Sequence, residues 1–156
     1  MVSKKLIPLF LVIVLSLLAL IIWIFLNQAT KSYQERGEVY INDELIEVEV
    51  VKSPVDIYRG LSNRPDICEN CGMLFIFSDL QEREFVMRKM MFPLDIIFIS
   101  DNEIVKIYEN LEPEGVSPKN LYKSEFLADK VLELNAGQVK KMDIKIGDKI
   151  ILKLDE

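Results

Sequence analysis

The chain has 156 residues, 19 basic and 25 acidic side chains and no histidine, for a net charge of −6. Without histidine there is no histidine-based catalytic triad, no imidazole general base and no imidazole metal ligand. Lys4 and Lys5 are the only charged side chains before residue 27, so 19 less 2 leaves 17 basic against 25 acidic residues beyond it, a net −8. A domain this acidic lacks the basic patch that nucleic acid or an anionic lipid surface rewards.

Residues 6–26 form an uncharged apolar run, with Pro8 in its first turn. As a helix, 21 residues reach roughly 31 Å, enough to cross a hydrocarbon core of about 30 Å. The run is longer than the apolar core of a cleaved signal peptide, and Asn27-Gln28-Ala29 is a poor small-x-small cleavage site. The reading is one uncleaved transmembrane helix after a cytoplasmic tail (1–5). By the positive-inside rule, Lys4, Lys5 and the α-amino group stay in the cytoplasm and the remainder lies outside it. Residues 27–37 are polar and read as a juxtamembrane linker, leaving 38–156 as one extracytoplasmic domain.

That domain reads as mainly β. Val39 and Ile41 alternate, as do Ile46, Val48 and Val50, and Asn42-Asp43 between them marks a hairpin turn. Ser53-Pro54-Val55-Asp56 is a helix start: an N-cap, proline at the first helical position, then an acid. Gly60 and Asn63 keep that helix short. Residues 72–77 (GMLFIF) are a short apolar run of buried-strand type, and 84–90 alternate as a second strand that Pro93 ends. Residues 94–100 and 103–110 form another hairpin about Asp101-Asn102. Residues 111–129 are polar, with proline and glycine, and read as a loop. Strands at 131–137 and 147–154 complete the set, with a short helical turn over 140–146. The expected architecture is a compact antiparallel β sandwich or small barrel with one or two short helices, preceded by the transmembrane helix.

Several segments fall in an order with a known counterpart: Gly60-Leu61-Ser62-Asn63-Arg64, Gly72 to Phe77, Phe85-Val86-Met87-Arg88, Pro93 to Ile99, Val131 to Gly137 and Gly147-Asp148. Over residues 39–154 the chain resembles the domain-of-unknown-function 192 family of small, often exported or membrane-anchored bacterial and archaeal proteins. The resemblance implies a compact β domain of this size with no established activity. Phe85 stands where the family usually has tryptophan. Asp66-Ile67-Cys68-Glu69-Asn70-Cys71 replaces an acidic, proline-containing loop, so the cysteine pair is not a family hallmark.

Cys68 and Cys71, the only cysteines, admit three readings: a structural disulfide suited to an oxidising compartment, a redox pair, or half of a metal site. A redox thiolate wants a helix N-terminus or a nearby cation, whereas Asp66 and Glu69 flank this pair. Zinc wants four ligands, and the chain has no further Cys or His. The disulfide is the expectation, with no metal and no cofactor.

Asp95, in an otherwise apolar strand, needs a partner. The functional reading groups it with Arg64, Phe85, Met87 and Arg88 as a pocket for a small polar ligand. The structural reading is an internal ion pair near Pro93. Glu133, opposite in alternation to Leu132 and Leu134, reads as solvent-facing. The expected function is binding of a small polar ligand or an envelope partner. The alternative is an envelope enzyme, either a carboxylate hydrolase or a thiol–disulfide protein.

Overall fold

The computed structural model describes residues 14–23 and 35–155, in two units, Met1–Tyr33 and Gln34–Glu156. In the first unit, residues 14–23 are an exposed helix, α1, within the apolar run. The expected cytoplasmic tail, the ends of the transmembrane run and the linker up to residue 34 lie outside the described residues. Among the described residues no helix is long and apolar enough to cross a membrane.

The second unit is built on one seven-stranded sheet. Its elements are β1 (Glu35–Ile41), β2 (Glu44–Val51), α2 (Pro54–Arg59), β3 (Cys71–Phe85), β4 (Leu94–Ser100), β5 (Glu103–Leu111), β6 (Tyr122–Asn135), α3 (Gln138–Lys141) and β7 (Ile150–Leu154). The strand order is β5-β4-β6-β3-β2-β1-β7. The expected hairpins form where the turn residues stand: Asn42, Asp43 and Asp101 all adopt positive φ, which short polar side chains tolerate.

Two expectations need correction. The sheet is mixed, because β2 and β3 pair in parallel, Glu47 to Cys71 through Val51 to Phe75. A parallel pair needs a crossover, and α2 with residues 60–70 supplies it. The sheet is also neither a two-sheet sandwich nor a closed barrel. Its edge strands approach at the Glu103–Lys149 bridge, where Ile104 N donates to Asp148 O (2.9 Å), Gly147 N to Ile104 O (2.8 Å) and Ile150 N to Asn102 O (2.9 Å).

Both faces of the sheet's centre are buried. One core gathers Val39, Ile41, Ile46, Val48, Leu74, Ile97, Ile99, Leu132 and Leu134 with α3. The other gathers Met73, Phe75, Leu94, Ile96, Phe98 and Val131 with Leu61, Met87 and Met90 from the crossover and the segment before β4. Alternate residues of β3, β4 and β6 therefore feed different cores. The aromatic rings of the second core run edge-to-face from Phe75 to Phe85, Phe98, Tyr108 and Tyr122, with centroids 5.0–6.1 Å apart.

Gly72 is required by the close approach of β3 to β6. A Cβ there would sit 2.8 Å from Glu133 O and 2.8 Å from a Leu134 methyl. Gly72→Ala is expected to lower stability by about 1–3 kcal/mol, the range for overpacking, measured by urea unfolding.

Candidate functional site

The segment Ser53–Met90 folds over the second core and, with Glu133 of β6, lines an open cavity of about 510 Å³. Ser53 begins it: its Oγ accepts from Asp56 N (3.2 Å), and Pro54 opens the first turn of α2. Gly60, at φ 48°, ends the helix and turns the chain back. Ser62 Oγ then donates to Arg88 O (2.9 Å), and Asn63 N donates to Lys89 O (2.8 Å), lacing the crossover to the segment before β4. Ser53→Ala removes the cap that holds this wall and is expected to cost about 1 kcal/mol in chemical denaturation.

Phe75, Leu61 and Met90 form the buried apolar part of the cavity, with Ile57, Phe77, Phe85 and Val86 half-buried around them. Tyr58, Arg59 and Glu84 are exposed and form its rim. Arg88 stacks on the Tyr58 ring at 3.9 Å and donates from Nη2 to Tyr58 O (2.7 Å), so its guanidinium is tied to α2.

Glu133 is the polar residue of the floor. It is 5% exposed, lines the cavity, and its Oε2 is buried without a hydrogen-bond partner. Burial alone pushes its carboxyl up from 4.5 to about 8. It is thus a largely neutral acid at pH 7, held between Met73 of β3 and Ile96 of β4.

The structure brings together only part of the expected pocket. Phe85 and Arg88 line the cavity. Met87 is fully buried in the core beneath. Arg64 pairs with Glu49 (2.7 Å) and borders a second cavity, of about 430 Å³, beside the cysteines. Asp95 does not meet Arg88. It points into the opposite core, fully buried, with Oδ1 accepting from Asn110 N (2.8 Å) and Oδ2 from Val139 N (2.9 Å). Its partners are backbone amides rather than the cation expected from the sequence, so it joins β4 to the end of β5 and the start of α3.

Cys68 and Cys71 form a disulfide at the entry to β3. Asn135 Nδ2 donates to Cys68 O (2.9 Å), and Lys141 pairs with Glu69 (2.7 Å), so the loop is also fastened to the end of β6 and to α3. Among the described residues no group of three or more Cys, Asp or Glu side chains is placed to hold a metal ion.

Glu133 is the residue that simple alternation misplaces, since Leu132 and Leu134 imply an outward-facing neighbour. The signal lay in its sheet neighbours. Residues 72–77 and 94–99 are apolar at nearly every position, which marks strands covered on both faces. A strand lying between two such strands is covered on both faces as well.

The DUF192 family profile, described as Uncharacterized ACR, matches residues 37–152. The chain belongs to this family. A candidate transcription regulator of Sinorhizobium meliloti 1021 has a similar structure, with TM-score 0.68 and 31% identity over 76% of this chain and 92% of that one. A protein of unknown function from Novosphingobium aromaticivorans DSM 12444 is similar at TM-score 0.68 and 25% identity, over 78% and 88% of the two chains. No curated protein matches the chain. The DUF192 domain thus spans the whole sheet, from β1 into β7.

Proposed function

We propose that this DUF192 protein is a membrane-anchored, extracytoplasmic binding protein whose cavity beneath α2 takes a small organic ligand. The observation that carries the binding reading is Glu133: a carboxyl oxygen buried without a partner in a cavity of about 510 Å³. A buried polar atom left unmatched by the protein is costly unless something else matches it. The apolar walls supply contact area, and one polar group supplies orientation, the usual make-up of a small-molecule site.

The anchor rests on the uncharged run 6–26, and the outward domain rests on Lys4 and Lys5 before it. The Cys68–Cys71 disulfide suits an oxidising compartment. A carboxylate hydrolase would need a second acid in the same cleft, and Glu84 at the rim is exposed and paired with Lys123 (2.8 Å). The net −8 beyond residue 26 gives no support to direct nucleic-acid binding.

The binding reading is tested by thermal-shift screening of the full chain in detergent, since a ligand of the native state raises the unfolding midpoint. Val86→Trp, which fills the cavity wall, is the control. A compound that stabilises the wild type and not Val86→Trp supports the site; equal effects on both, or no stabilising compound, count against it. The location is tested with reporters fused after Glu156: alkaline phosphatase activity is expected, and fluorescence of a cytoplasm-restricted reporter contradicts it.

A further inference from the structure

The chemistry of the floor narrows the ligand. Once ionised, the Glu133 carboxylate is an acceptor only and has no partner from the protein, so an occupant that binds this form must bring an N–H or O–H donor to it. None of the protein's own cations serves it. Arg88 is held by Tyr58, Arg59 pairs with Asp56 (3.3 Å), and Lys123 pairs with Glu84. From β5, Lys106 pairs with Glu125 and Tyr108 donates to Lys123 O. From β4, the facing side chains are Leu94, Ile96 and Phe98, while Asp95 belongs to the other face.

We infer that the cavity binds an organic amine with an apolar body, its ammonium on the Glu133 carboxylate and its hydrocarbon part against the half-buried Ile57, Phe77 and Phe85. This rests on the cavity being a ligand site. A charge-assisted N–H···O bond to a buried carboxylate is stronger than one from a neutral hydroxyl, and it supplies the cation that the protein withholds. The half-buried Phe85 ring lines the same cavity, and the acidic domain draws cations to it. An anionic ligand could be held only by the protonated Glu133, as acceptor of its O–H, and its affinity would fall as pH rises through 8, the opposite of the amine.

Amine binding displaces one proton. Below pH 8 Glu133 is mostly protonated, so the ammonium binds as that proton passes to solvent. Affinity is then expected to rise roughly tenfold per pH unit between about pH 6 and pH 7, and to level off above pH 8.

The test uses three probes of one shape on the full chain in detergent, followed by calorimetry: phenethylamine, phenethyl alcohol and hydrocinnamate. Phenethylamine is expected to bind at least tenfold tighter than the alcohol at pH 8, with the pH dependence above, and hydrocinnamate weakest. Glu133→Gln is expected to lose tenfold or more for the amine, and to lose its pH dependence, with little change for the alcohol. Alcohol or hydrocinnamate binding as tight as the amine overturns the amine inference and leaves the cavity standing as a ligand site. Absence of amine binding overturns the inference as well. The probe comparison on the wild type decides the matter even where Glu133→Gln does not fold.

Discussion

Asp95→Ala is expected to destabilise the domain by about 3 kcal/mol or more, read as a lower urea midpoint at an unchanged slope. The carboxylate is fully buried and receives Asn110 N at 2.8 Å and Val139 N at 2.9 Å. Truncation orphans both amides in the core, at about 1–3 kcal/mol each, and leaves a void beside Ile97 and Val139. Asp95→Asn keeps the volume but turns an N–H donor towards one of the two amides. It is therefore expected to recover less than half of the loss. A cost under about 1 kcal/mol for Asp95→Ala would show that the two amides find water, and that the carboxylate does not hold β4, β5 and α3 together.

The second large effect is on pH dependence. Glu133 has a folded pKa of about 8, above its ordinary 4.5, because burial penalises the anion. Between those values the native state holds the proton more tightly than the unfolded chain. The stability this contributes is therefore full below about pH 4.5 and is lost as pH rises through 8, in total on the order of 4–5 kcal/mol at about 1.4 kcal/mol per unit. Glu133→Gln removes that slope. Its stability is expected to match the wild type near pH 5 and exceed it by several kcal/mol at pH 9, by denaturant unfolding. Parallel curves for the two proteins across that range would contradict the account. A bound amine is expected to offset the same loss, because it pairs with the anion that burial disfavours.

How far the sequence could be read depended on the strand. The β1–β2 and β4–β5 hairpins were legible because Asn42-Asp43 and Asp101-Asn102 stand between clean apolar segments. The start of α2 was legible because Ser53 and Pro54 combine a cap with a fixed φ. The far halves of β3 and β6 were not. Residues 78–85 and 122–130 pair as a ribbon that is exposed over much of its length, with register shifts between Ile76 and Gln81 and between Glu82 and Glu84. Each bulge breaks the period of two that a strand reading relies on. The expected strand at 84–90 is accordingly the end of β3 followed by a loop. The expected loop at 111–129 contains the start of β6.

The site divided along similar lines. Phe85 and Arg88 were reachable because the aromatic and the cation stand out in an apolar stretch. Asp95 stood out as well, but alternation sends it to the opposite core from Ile96, away from the cavity. Glu133 was hidden by a correct local rule applied to the wrong kind of sheet: alternation gives outward-facing residues only where one face is wet.

The most direct test of this account is the titration of the Glu133 side-chain carboxyl carbon by NMR, with carbon-13 glutamate in the full chain and Glu133→Gln to assign the signal. A midpoint near 8 is expected, displaced downwards by saturating phenethylamine. A midpoint near 4.5 would mean a hydrated carboxylate, and would contradict the buried, unpartnered acid on which the site is built.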